Sequence, residues 1–134
     1  MKIRRTALRA AAIGACTALF PAHAHHSYAA FDRCKPTTLD GEIVGVEWVN
    51  PHIVISLRTE DVSSYRVEWR SLAEIENRGF SHTLQAGDHV VILGHAMRDP
   101  SLKVLSLLSE IRRPSDGWAW KIQARPTPEH CAAG

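Results

Sequence analysis

The chain has 134 residues and a formal net charge of +2. Four basic residues, Lys2, Arg4, Arg5 and Arg9, fall in the first 24 positions, while residues 25–134 hold 12 Lys and Arg against 14 Asp and Glu, a net −2. No basic block remains there, which disfavours nucleic acid as a partner, and 110 residues make one small domain rather than two.

The first 24 residues read as a signal peptide. A basic start precedes an alanine-rich apolar stretch from about Ala10 to Phe20, and Ala22-His23-Ala24 supplies a small-residue cleavage signal. The apolar run is well short of the roughly 20 residues a spanning helix needs, so no membrane span is expected after processing. Ile13-Gly14-Ala15-Cys16 is a faint lipoprotein-like box and Arg4-Arg5 a loose twin-arginine match, both weaker than ordinary export. The expected address is the periplasm, with a mature chain beginning at His25-His26-Ser27.

Residues 25–38 read as an extended lead-in with Tyr28 and Phe31 as packing anchors. A first strand is predicted over residues 39–49, with Val44, Val46 and Trp48 on one face and Gly41 and Gly45 interrupting the other as bend or bulge positions. Asn50-Pro51 ends it. The second strand, residues 52–58, points Ile53, Ile55 and Leu57 one way and His52, Ser56 and Arg58 the other. The third, residues 65–70, turns Tyr65, Val67 and Trp69 inward and Arg66, Glu68 and Arg70 to water.

A short helix follows, opened by a capping box of Ser71 and Glu74 and stopped at Gly79. Ala86-Gly87-Asp88 turns the chain into a fourth strand at residues 89–95. Asp99-Pro100-Ser101 leads to a fifth at residues 102–111. Residues 112–134 hold Trp118, Trp120 and three prolines and read as an irregular tail. Three strands, a helix, then two strands, with a bend glycine in the first, is the order of the OB-fold, a five-stranded Greek-key barrel. The expected class is all-β with small helical content, an OB-like barrel over residues 39–111; an open α+β sheet is the rival.

Cys16 lies in the leader, so Cys34 and Cys131 are left. Two cysteines near opposite ends of an exported domain predict one disulfide. The alternative is two free thiols; a metal–thiolate site is less expected, because the two cysteines are neither close in sequence nor part of a Cys-x-x-Cys pair.

The residues His25-His26-Ser27, Phe31-Asp32, Gly41, Glu47-Trp48-Val49-Asn50-Pro51-His52, Trp69, Arg78-Gly79-Phe80, Gly87-Asp88 and Gly94-His95-Ala96-Met97-Arg98-Asp99 resemble a family. It is the family of small exported bacterial proteins called "domain of unknown function 6152". The similarity covers most of residues 25–111, and the Trp-x-Asn-Pro-His block is its most specific part. It implies export and a single small β-domain, and it implies nothing chemical. The tail from Arg112, Cys131 included, looks peculiar to this chain.

Seven histidines remain after the leader, and imidazole is the commonest ligand for copper, zinc and nickel. A free amine at His25 would chelate together with its own ring, with His26 beside it, an arrangement that suits copper(II). His95 and Met97, two apart on a strand, offer imidazole and thioether, and His52 starts the second strand. The candidate metal ligands are therefore His25, His26, His52, His95 and Met97, with copper as the candidate ion. Trp48, Glu68 and Trp69 form a candidate ligand face, although the inward period of the tryptophans also suits plain core packing.

No nucleophile elbow, phosphate loop or His-Glu-x-x-His occurs, so an enzyme is not expected. The leading expectation is a non-catalytic binding or accessory domain for an unidentified small molecule or protein. A copper-binding protein and a protein-interaction module, the latter using the barrel face and the Trp118/Trp120 tail, are the alternatives.

Overall fold

The computed structural model describes residues 28–133. The readings of the leader, of Cys16 and of His25 and His26 lie outside the described residues. Six strands run in chain order as β1 (Thr37–Glu47), β2 (Val54–Thr59), β3 (Ser64–Glu68), β4 (His89–Ala96), β5 (Val104–Arg113) and β6 (Trp118–Lys121), with one helix, α1 (Leu72–Asn77), between β3 and β4. β1 pairs antiparallel with both β2 and β4, β2 pairs with β3, and β4 with β5. A short parallel contact, Arg66 with Val104 and Val67 with Leu105, joins β3 to β5 and closes the first five strands into a barrel.

The long first strand serves both halves of that barrel. Its first half lies along β4 and its second along β2, and Gly41 sits in both registers. A Cβ at Gly41 would run into the carbonyl of Arg58, so only glycine allows the two strands to approach so closely there. Farther along, the register slips between Ile43 and Gly45, and Val44 is skipped. This bulge inverts the alternation: Leu39 and Ile43 face inward before it, Val46 and Trp48 pack on the core after it, and Val44 is left 54% exposed. The expected common face of Val44, Val46 and Trp48 is thus corrected for Val44, because one extra residue flips the phase of a strand.

α1 forms where its caps specify it. Ser71 accepts from the Glu74 amide at 3.2 Å, and Ile75 on the inner side is fully buried. Gly79 takes φ +73°, which lets its own amide reach Glu76 O and the Phe80 amide reach Ile75 O. Those two bonds are the Schellman pattern, closed by a left-handed residue after the C-cap.

The tail reading changes in part. Residues 118–121 are not irregular but form β6, an antiparallel addition to the end of β5. Trp120 is 1% exposed and meets Trp69 edge to face at 5.3 Å, and Trp48 meets Trp69 in turn at 6.1 Å. Trp118 is half-buried against Phe80. The Trp118/Trp120 pair is therefore part of the packing, not an exposed contact surface. Arg113 pins the start of this extension by donating to Asp88 at 2.7 Å, to the Thr83 carbonyl at 2.8 Å and to Asp116.

The lead-in is docked as well. Phe31 is buried and bridges to Met97, the Asp32 amide donates to Ala96 O at 2.9 Å, and the Arg98 amide donates to Ala30 O at 2.9 Å. Tyr28, expected as a second anchor, is 47% exposed instead. The Cys34–Cys131 disulfide is present, with Cα atoms 5.3 Å apart, and ties the lead-in to the end of the tail. No helix among the described residues is long and apolar enough to cross a membrane.

Candidate functional site

The specific block Trp48-Val49-Asn50-Pro51-His52 joins β1 to β2, and each marked residue has a distinct task. Trp48 backs onto Trp69. Asn50 Oδ1 accepts from the Leu72 amide at 3.1 Å, satisfying one of the open donors at the start of α1. The Asn50–Pro51 peptide is cis. His52 then enters a cleft of about 430 Å³ whose lining also includes Glu68, Trp69, Arg70, Glu74 and Leu107. Three residues of the block build the corner, and the fourth is presented to the cleft.

The other walls come from elements far apart in sequence. Glu68, at the end of β3, is 9% exposed and pairs with Arg66 Nε at 3.3 Å. Its expected place in water is corrected: the residue is nearly buried where β3 ends, in the wall of the cleft. Arg70 bonds Glu74 across the start of α1 at 3.4 Å. Trp69 is 4% exposed, and its buried Nε1 has no partner among the described residues. Tyr28 and Arg125 form the rim, the guanidinium lying 4.7 Å from the ring centre and donating to the phenol oxygen at 3.3 Å.

Leu107 holds φ +52° in the middle of β5, where the register against β4 also slips. A bulky residue in that region is uncommon and persists only where its surroundings enforce it. The irregularity places Ser106, Leu107 and Leu108 in the lining.

The predicted candidates part company here. His52, Glu68 and Trp69 come together in the cleft. Trp48 supports Trp69 from behind and stacks on His82 at 4.8 Å, outside the lining. His95 meets the Asp32 carbonyl through Nδ1 at 2.9 Å, and because a carbonyl only accepts, Nδ1 is the donor. Neither His95 nor Met97 lines the cleft. His89 faces Asp40 at 2.6 Å on the surface. Arg70, Arg125 and Leu107 were not foreseen; Ser71 and Glu74 were visible only as a cap.

One imidazole, two carboxylates and two guanidiniums share the lining with Trp69, Phe31 and two leucines, so the chain is a small β-barrel with a cleft of mixed polar and apolar character. The chain belongs to the Family of unknown function (DUF6152), whose model matches residues 14–106. The match stops within β5, before β6 and Cys131. No curated protein and no solved structure matches the chain.

Proposed function

We propose that this protein is an exported, non-catalytic binding module of OB-like form whose ligand is copper(II), held at the cleft by His25, His26 and His52. The observation that supports it is the entry of His52 into a cleft whose rim includes Tyr28. Cleavage after Ala24 would make His25 the first residue, three positions before Tyr28. Three residues span at most about 11 Å, so chain length would allow the His25 amine and ring and the His26 ring to approach that rim. An amine and a ring nitrogen from His25 form one chelate, His26 and His52 add imidazoles, and such nitrogen-rich sets suit the tetragonal preference of copper(II).

The test is a copper(II) titration of the mature protein, its N-terminus verified by mass spectrometry. Beside it run a copy with one added N-terminal residue and the His52→Ala variant. The expected result is one-to-one binding that weakens in both altered proteins. Equal affinity in all three overturns the reading.

A further inference from the structure

A second ligand set lies away from the cleft, where the two ends of the described chain meet. One ligand atom each from Cys34, His130 and Cys131 falls within 4.8 Å of the other two. In the oxidised protein both sulfurs are committed to the disulfide. We propose that reduction of this disulfide converts Cys34, Cys131 and His130 into a three-coordinate copper(I) site.

The chemistry needs one reductant, a dithiol. Its thiolate attacks one sulfur, the S–S bond breaks, and the second thiol of the reductant resolves the mixed disulfide. The two cysteines gain two electrons and two protons, and the dithiol becomes a disulfide. Copper(I) then displaces both thiol protons, and neutral His130 donates its lone pair. Soft thiolates with an imidazole select copper(I) over harder ions.

The geometry asks for little movement. With a metal–sulfur bond of about 2.3 Å, two sulfurs on one trigonal ion lie about 4 Å apart. Rotation about the Cα–Cβ bonds supplies that separation without shifting backbones whose Cα atoms are 5.3 Å apart. The lead-in is held to the barrel independently of the disulfide, and the tail around Cys131 keeps its own turn. The Cys34 amide donates to Asp32 Oδ1 at 3.1 Å, and the neighbouring lead-in stays bonded to Ala96. On the other side the Cys131 amide donates to Pro128 O at 2.9 Å, and Arg125 stays against Tyr28. Cys34 and His130 are exposed, which gives both reductant and metal access.

This site shares no residue with the cleft, so the copy carrying one added N-terminal residue serves as the parent for the test. That protein, reduced anaerobically with a dithiol and freed of it, is titrated with copper(I) against a coloured copper(I) chelator. The reduced form should take up one equivalent that the oxidised form does not. Cys34→Ser should abolish that uptake. His130→Ala should weaken it roughly tenfold or more, since loss of even an outer partner of a ligand costs about that much. Equal uptake by reduced and oxidised protein, or full affinity in His130→Ala, overturns the proposal. His130 is exposed, so its replacement leaves the fold intact for this comparison.

Discussion

The side chain of Asn50 and the amide of Leu72, 22 positions apart, share a hydrogen bond of 3.1 Å that ties the corner before β2 to the first turn of α1. That bond links the segment carrying His52 to the start of the helix carrying Glu74, two walls of the cleft. Asn50→Ala should lower stability by about 1 kcal/mol, the usual cost of losing an N-terminal partner of a helix. Urea denaturation monitored by tryptophan fluorescence checks it, and an unchanged midpoint would show the bond to be idle.

His52→Ala should separate binding from folding. The histidine sits on a half-buried corner outside the main apolar cluster, so thermal stability should change little while copper(II) affinity falls. A large loss of melting temperature with unaltered copper binding would make it a structural residue only.

Trp120 carries the packing of β6. Its ring is enclosed by the barrel and meets Trp69 edge to face. Trp120→Ala should cost about 3–5 kcal/mol, as for other buried tryptophans. A change within experimental error would mean that β6 is ornamental to the barrel.

Acid should weaken the fold through its turns. Hydrogen bonds from Thr59 and Ser63 hold the Asp61 carboxyl below the usual carboxylate range, those from Ser101 do so for Asp99, and Arg113 does so for Asp116. A carboxyl whose folded pKa is depressed binds protons more readily when unfolded. Its stabilisation is therefore complete above the unfolded value and lost as pH falls through the folded one. Melting temperature should hold level from neutral pH to about pH 5 and decline below about pH 4, with a shallower decline in Asp116→Asn. A flat profile down to pH 2 would refute the assignment.

Replacing both Cys34 and Cys131 by serine should destabilise the protein by up to about 4–5 kcal/mol. The bond closes a loop of 97 positions, near the size for which loop closure predicts that value. Guanidinium denaturation of the double variant against the oxidised parent measures it. The barrel should still form, because the buried cluster lies outside the tethered ends.

Much of the architecture was legible locally. The alternation of Ile53, Ile55 and Leu57, the Ser71–Glu74 cap and the Gly79 stop each operate over a few residues, and each element stands where those signals put it. Val44 was misplaced because a bulge is a relation between two strands, and periodicity along one strand does not reveal the skipped position. β6 was overlooked because its flanking prolines resemble a loop, although Trp118 and Trp120 at a spacing of two already had the strand period. The cleft was the least legible part. His52, Glu68 and Leu107 meet only after β3 and β5 pair, and nothing near any of them in sequence encodes that closure.

The Cys34–Cys131 bond also changes how the molecule carries load. Force applied through tethers at its two ends would run along the lead-in, across two sulfur atoms and out through the tail. Tension would load the contacts of Ala30, Phe31 and Asp32 with residues 96–98 first. Beyond them the disulfide would carry it past the strands, leaving the rest of the barrel as a folded domain hanging from a short, inextensible link.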